Sequence, residues 1–321
     1  MKAIVHRRYG SPDVLRLEDI DRPIVDDDSV LVRVRAASVN AFDWHIMRGL
    51  PYVVRTSAGV RRPSRVVAGV DLAGQVEAVG RNVTGFRPGD EVFGERGGAF
   101  AEYVVGTGSN FVAKPATLTF EEAAAVPMAG FTALQGLRDK GHVQPGQRVL
   151  ITGAAGGVGT FAVQLAKAFG AEVTGVCHTT NVEMLRSIGA DHVIDYTRDD
   201  YTRTAERYDL LLDIGASRSL VASRRILAPH GVLVVVGAPT GQWLAPLMRP
   251  LGAVLLSRFG SRTLKPFLAE RRMDDLLVLK ELIEAGKIKP VIDRAYPLSE
   301  TAGAIRRLEA GHVRGKVVIT V

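Results

Sequence analysis

The stretch VLITGAAGGVGTFAVQLAKAFGAEVTGVC, residues Val149–Cys177, decides the fold of half of this chain. Val149, Leu150 and Ile151 form a short continuous apolar run, the pattern of a strand buried on both faces. Gly153, Gly156 and Gly159 follow at three-residue spacing, with Ala155, Gly157 and Val158 completing the turn. Beyond it, Ala162, Leu165, Ala166 and Phe169 share one helical face, and Gly170 ends the helix. A second strand, Glu172 to Cys177, comes next. In this context glycines let the backbone turn sharply and approach a pyrophosphate, and the helix N-terminus offers free N–H groups and a positive dipole end. A merely tight turn would account for the glycines but not for the whole unit, so a dinucleotide site is expected.

The end of the second strand bears on which dinucleotide. An NAD-selective site usually places Asp or Glu there to hold the ribose hydroxyls. Here the chain reads His178, Thr179, Thr180, Asn181, with no acid before Glu183. A short polar run can hydrogen-bond a 2′-phosphate, and no carboxylate in that run repels it. NADPH is the expected cofactor and NADH the alternative. Thr179 as a plain cap of the next helix fits equally well.

Outward from this unit, strands and helices alternate from Val149 to Leu268, the pattern of a doubly wound parallel sheet. The first third differs. Short alternating runs (Lys2 to Val5, Ser29 to Arg35, Gly74 to Val79, Glu91 to Phe93, Ala101 to Val105) are punctuated by Gly, Pro and Asp, which predicts a small antiparallel barrel. The pattern breaks after Lys114-Pro115, where Thr119 is a candidate N-cap with Glu121 and Glu122 in the first helical turn. It breaks again near Lys289, before a closing strand, Lys316 to Val321.

Bulk numbers narrow the function. With 321 residues, two domains are expected. Hydrophobic content of 46% and charged content of 23% suit a globular rather than a disordered chain. The net charge of +7 includes Arg pairs but no long basic run, so nucleic acid is not the expected partner. No apolar run is long enough to span a membrane. A single cysteine, Cys177, excludes an intramolecular disulfide and a thiolate-rich metal site. The cytoplasm is the expected location.

Several motifs then agree in order: Asn40-Ala41-Phe42-Asp43, Gly69-Val70-Asp71-Leu72-Ala73-Gly74, Arg87-Pro88-Gly89-Asp90, Gly98-Ala99-Phe100-Ala101-Glu102-Tyr103, Gly130-Phe131-Thr132-Ala133, the glycine turn, Gly189-Ala190-Asp191 and Gly315-Lys316-Val317-Val318. With them the chain resembles the medium-chain dehydrogenase/reductase superfamily, and within it the zinc-independent, quinone oxidoreductase-like (zeta-crystallin-like) reductases. The resemblance implies an α/β fold in which a GroES-like catalytic domain (1–118, completed by 288–321) carries an inserted Rossmann domain (119–287). It explains why the glycine turn comes so late.

Zinc-dependent relatives carry Cys where this chain has Asn40 and a His-Glu pair where it has Val70-Asp71, so no zinc is expected. Without that Lewis acid, hydride transfer to an already electron-poor acceptor is the easier chemistry. The resemblance thus implies an NADPH-dependent reductase of a small hydrophobic quinone or α,β-unsaturated carbonyl, working as a homodimer. It also places Asn40, Asp43, His45 and Tyr52 at the catalytic segment. Asn40 could donate to the acceptor oxygen, Asp43 could order the loop, and His45 or Tyr52 could supply a proton. On the cofactor side it places Thr132, the glycine turn, His178, Thr179, Thr180, Tyr196, Gly237, Ala238 and Lys316. An enoyl or carbonyl reductase of polyketide-type chemistry is a second reading, separable by rates on quinones and enones. A non-catalytic nucleotide-sensing or RNA-binding protein on the same scaffold is a third, and salt-sensitive RNA binding without turnover would favour it.

Overall fold

The computed structural model describes residues 1–236, 245–258, 260–311 and 313–321, with residues 245–247 as backbone only. The chain divides into two compact units: Met1–Ala129 with Arg271–Glu284 and Pro290–Val321, and Gly130–Glu270 with Ala285–Lys289. The first division falls later than position 118. The helix Phe120–Ala124 packs on the strands Ser29–Val39 and Asp71–Val79 of the first unit. Thr119 caps this helix as expected: its hydroxyl accepts from Glu122 N (3.2 Å), and Glu122 returns a carboxylate to Thr119 N (3.0 Å). Residues 271–284, expected in the dinucleotide domain, also cluster with the first unit, where Arg271 donates to the carbonyl of Glu95.

The first unit is built around the strand Ser29–Val39. Its 11 residues pair antiparallel with Asp71–Val79 along their length, with Tyr103–Thr107 over the first half, and with Lys316–Thr320 over the second. Glu91–Glu95 and Phe111–Ala113 extend the sheet on one side. Ile292–Pro297 extends it on the other, and this last strand runs parallel to Lys316–Thr320. Strand Lys2–Val5 forms a separate hairpin with Arg16–Asp19. Because the central strand is covered on both faces, its apolar run is almost continuous, and Val30, Val32, Val34, Ala37 and Val39 enter one core with Phe100 and Val317.

The second unit is a six-stranded parallel sheet in the order His192–Asp195, Glu172–Cys177, Arg148–Thr152, Tyr208–Asp213, Leu227–Val235, Thr263–Pro266. Numbered from Arg148–Thr152, this is order 3-2-1-4-5-6, the doubly wound arrangement whose ligand site lies at the reversal point. Val149, Leu150 and Ile151 are fully buried, as a central parallel strand requires. Among the described residues no helix is long and apolar enough to cross a membrane.

Candidate active site

In the second unit the strand order reverses between the parallel neighbours Arg148–Thr152 and Tyr208–Asp213, and there Gly153 and Gly215 meet. Gly153 has φ +66°, and a Cβ on it would lie 3.1 Å from Gly215 N. Thr152 Oγ1 ties the two strand ends, donating to Asp213 (2.7 Å) and accepting from Gly215 N (3.0 Å). Gly159 is needed for closeness: its Cβ would stand 2.2 Å from the Gly153 carbonyl oxygen. Gly156 is different. It is the N-cap of the helix Gly157–Ala168, and a Cβ there would meet nothing nearer than 3.5 Å. Space therefore lies over Gly156, where Gly157 and Val158 open the helix with N–H groups that have no intrahelical partner. Ala155 is buried in the turn behind it. This arrangement fits a dinucleotide pyrophosphate.

The adenosine-side residues also come together. His178, Thr179 and Thr180 follow the strand Glu172–Cys177, and Tyr196 follows its parallel neighbour His192–Asp195. The His178 and Tyr196 rings pack edge to face at 5.9 Å, and His178 Nδ1 lies 3.1 Å from Thr180 Oγ1. One expectation needs correction. Thr179 does not face an acid-free site: its hydroxyl donates to Asp195 Oδ2 at 2.5 Å. The hydrogen bond from Thr179, with further ones from Thr197, holds Asp195 down to about 2, so it is a carboxylate. The acid comes from the neighbouring strand rather than from the end of the second strand. Arg198 stands 3.6 Å from the same carboxylate. Thr132 is half-buried in the helix Pro127–Gln135. Gly237 and Ala238 lie outside the described residues.

In the first unit, Asn40 ends the central strand and caps the helix Ala41–Arg48, which Gly49 stops at φ +62°. Asn40 N donates to Asp43 Oδ2 (2.7 Å). The Asn40 amide donates to Asp71 Oδ2 (2.9 Å) and Ser38 O (3.4 Å), while its oxygen accepts from Lys316 Nζ (2.5 Å). Both amide hydrogens are thus taken, and Asn40 is not a free donor for an acceptor oxygen.

Lys316, expected at the cofactor, is instead 3% exposed within this cluster, 3.8 Å from Asp71, which is fully buried. Asp71 also accepts from Ser38 Oγ (3.1 Å) and from Met128 N (3.3 Å). Burial lowers Lys316, while Asp71 and Asp43 raise it. Burial raises Asp71 against Lys316 and its hydrogen bonds. Burial is also the leading cause that lifts Asp43 to about 8 and Glu95 to about 7, with the Asp71 charge adding to both.

His45 stacks on Trp44 at 3.8 Å between centroids, with Nδ1 2.7 Å from Leu50 O, and burial lowers its pKa. Tyr52 is half-buried, with the Arg55 guanidinium 4.7 Å over its ring. Among the described residues no group of three or more His, Cys, Asp or Glu side chains is placed to hold a metal ion.

Sequence reasoning missed the role of Asp71. It sits in a quoted motif, and a lone Asp opening a strand of Leu, Ala and Gly was the available signal. It also missed Asp195, one strand away from where an acid was sought. No sequence signal marks His6, which the structure buries beside Asp43 in one cavity.

Known proteins place this architecture. Residues 26–116 match the alcohol dehydrogenase GroES-like domain family, and residues 188–319 match the family described as zinc-binding dehydrogenase. The human mitochondrial NAD(P)H oxidoreductase RTN4IP1 is 33% identical over all of this chain and 89% of its own length. The chain is a quinone oxidoreductase-like member of the medium-chain dehydrogenase/reductase superfamily. Another superfamily member, the Arabidopsis thaliana chloroplastic NADPH-dependent alkenal/one oxidoreductase, is 33% identical over 99% of this chain and 79% of its own. The solved quinone oxidoreductase of Coxiella burnetii superposes with a TM-score of 0.88 at 32% identity, covering 100% of this chain and 99% of that one.

Proposed function

We propose that this NAD(P)H-dependent oxidoreductase is a zinc-free, NADPH-using reductase of quinones or α,β-unsaturated carbonyls. The observation that carries the reading is the cluster at Asn40. Where zinc-dependent relatives carry Cys and the Glu of a His-Glu pair, this chain has the Asn40 amide and the Asp71 carboxylate, and these are satisfied by each other and by the Lys316 ammonium. When bound, the nicotinamide supplies a hydride. The chain's part is to hold the dinucleotide by the glycine turn, to keep water from the reacting carbon, and to stabilise the charge that develops on the acceptor oxygen. Acceptors whose carbonyl already delocalises that charge need no Lewis acid. The names of the Coxiella and Arabidopsis relatives favour the same two acceptor classes, and the latter favours NADPH.

Stopped-flow oxidation of NADPH and NADH against a panel of benzoquinones and enones, with and without chelator, tests this. Turnover indifferent to chelator is expected, and failure to bind either cofactor overturns the reading. The ratio of quinone to enone rates separates a quinone reductase from an enoyl reductase.

The proposed partner is a second copy of the chain. Thr263–Pro266 is an edge strand, and the helix Ala245–Ser257 beside it exposes Met248, Leu251 and Leu255. Sedimentation of the full chain decides it: a monomer at micromolar concentration would remove this part of the proposal.

A further inference from the structure

The first unit contains a cavity of about 220 Å³ within its own walls. Phe42, Ile46, Val67 and Val70 give it apolar sides, and Asp43 and His6 stand among them. His6 is 2% exposed, directly after the strand Lys2–Val5, and its Nδ1 has no hydrogen-bond partner. Buried polar atoms are almost always paired, so the unpaired imidazole nitrogen of a residue that lines a cavity is a ready partner for a ligand atom. Burial lowers the His6 pKa and keeps the ring neutral, and a neutral imidazole carries one N–H. The Asp43 carboxyl uses Oδ2 to accept from Asn40 N, and no other hydrogen bond among the described residues reaches it. The cavity is smaller than the roughly 300–1,000 Å³ that drug-sized ligands take, which suits one ring or a short enone.

We propose that this cavity takes the carbonyl end of the acceptor, with the His6 imidazole donating a hydrogen bond to its oxygen and the Asp43 carboxyl as the proton source. The inference rests on the reductase reading above and adds the subsite to it. Reduction leaves an electron pair on the acceptor, as an enolate or a hydroquinone anion. The Asp43 O–H bond breaks, the proton bonds to that anion, and the Asp43 carboxylate left behind is reprotonated from solvent. Burial and the Asn40 N–H act on it most, then the charges of Asp71, Lys316 and Glu95, while His6 and Arg65 line the same cavity. Asp43 titrates at about 8, so it holds its proton at neutral pH and loses it above.

The test begins on the cofactor-free full chain with cyclohexanone, a carbonyl that cannot be reduced as an enone, titrated by calorimetry. His6→Leu and Phe42→Ala should each weaken binding by roughly tenfold. Phe42 is 43% exposed, so its variant reports on the cavity even if the His6 variant folds poorly. Asp43→Asn should bind cyclohexanone within about twofold, because its apolar walls remain. With NADPH and an enone, it should lower kcat by roughly 100-fold and remove the fall in rate above pH 8. Equal ketone binding by wild type, His6→Leu and Phe42→Ala overturns the subsite. An unchanged pH profile in Asp43→Asn overturns the proton source. A wild-type chain that binds ketone but oxidises no NADPH with any acceptor would sink the reductase reading while leaving the subsite standing.

Discussion

The glycine turn of the second unit and the polar cluster of the first do comparable work by opposite means. At the turn the requirement is an absence: no atom can stand between Gly159 and the Gly153 carbonyl, 2.2 Å from where a Cβ would be. In the cluster it is a presence, with Ser38, Asn40, Asp71, Met128 and Lys316 brought from distant parts of the sequence so that each buried charge finds a partner. An absence is local and can be read from spacing. A mutual satisfaction of charges exists only once the sheet has formed.

In Lys316→Met the fully buried Asp71 loses its cation but keeps its desolvation, and the expected loss of stability is about 3–5 kcal/mol by urea unfolding. A loss below about 1 kcal/mol would mean that the hydrogen bonds alone hold Asp71, and that the cluster is not electrostatic at all. The turn gives the next effect. Gly159→Ala forces a Cβ against backbone, for an expected cost of about 1–3 kcal/mol with loss of dinucleotide binding. Gly156→Ala meets only Gly153 O at 3.5 Å. It should cost no more than about 1 kcal/mol, the usual penalty of Ala at an N-cap, while still weakening the dinucleotide, because the methyl enters the space over the helix N-terminus. Equal damage from both substitutions would erase the distinction between packing glycine and binding glycine.

Legibility followed the same division. The parallel sheet, its glycine turn and the Thr119 cap are local patterns, and the structure has them where the sequence puts them. The first unit extends past position 118 because the helix Phe120–Ala124, which the sequence marks only as helical, packs on that unit's sheet. Lys316 opens the strand KVVIT, where the resemblance suggests a cofactor-facing cation, but the start of that strand is buried. His45 has the right chemistry for a proton donor, yet the Leu50 carbonyl 2.7 Å from Nδ1 engages it locally. Nothing in a one-dimensional pattern says which polar residues will share an interior.

Near neutral pH the cluster holds two carboxyls raised by burial, whereas His6 and His45, lowered by burial, act with the opposite sign and mainly below about pH 6.5. Asp43 and Glu95 are held up to about 8 and about 7, above the values they take unfolded. The folded chain therefore binds more protons than the unfolded one from about pH 4 upward, and stability falls as pH rises until both groups have ionised. The expected slope is of order 1 kcal/mol per pH unit between pH 6 and 8. Asp43→Asn should flatten the part that reaches pH 8, measured as Tm against pH. A Tm that instead rises over this range would show that these carboxyls are already charged in the folded chain.

The smallest effect lies where an absence was read and a charge was found. The run His178–Asn181 carries no acid, which favoured a 2′-phosphate, but Asp195 reaches Thr179 from the next strand as an ionised carboxylate. Asp195 therefore works against the phosphate of NADPH, while Arg198, 3.6 Å from it, works for it. Both side chains border solvent, so screening keeps each contribution small. Asp195→Asn keeps the hydrogen bond from Thr179 and removes only the charge. It should raise the preference for NADPH over NADH by roughly two- to fivefold, read as the ratio of dissociation constants at low salt. The gain should fade as salt is added. A shift that persists at high salt would mean that Asp195 acts by shape or by ordering Thr179 rather than by field. The adenosine end would then obey the local logic of the glycine turn and not the electrostatic logic of the cluster.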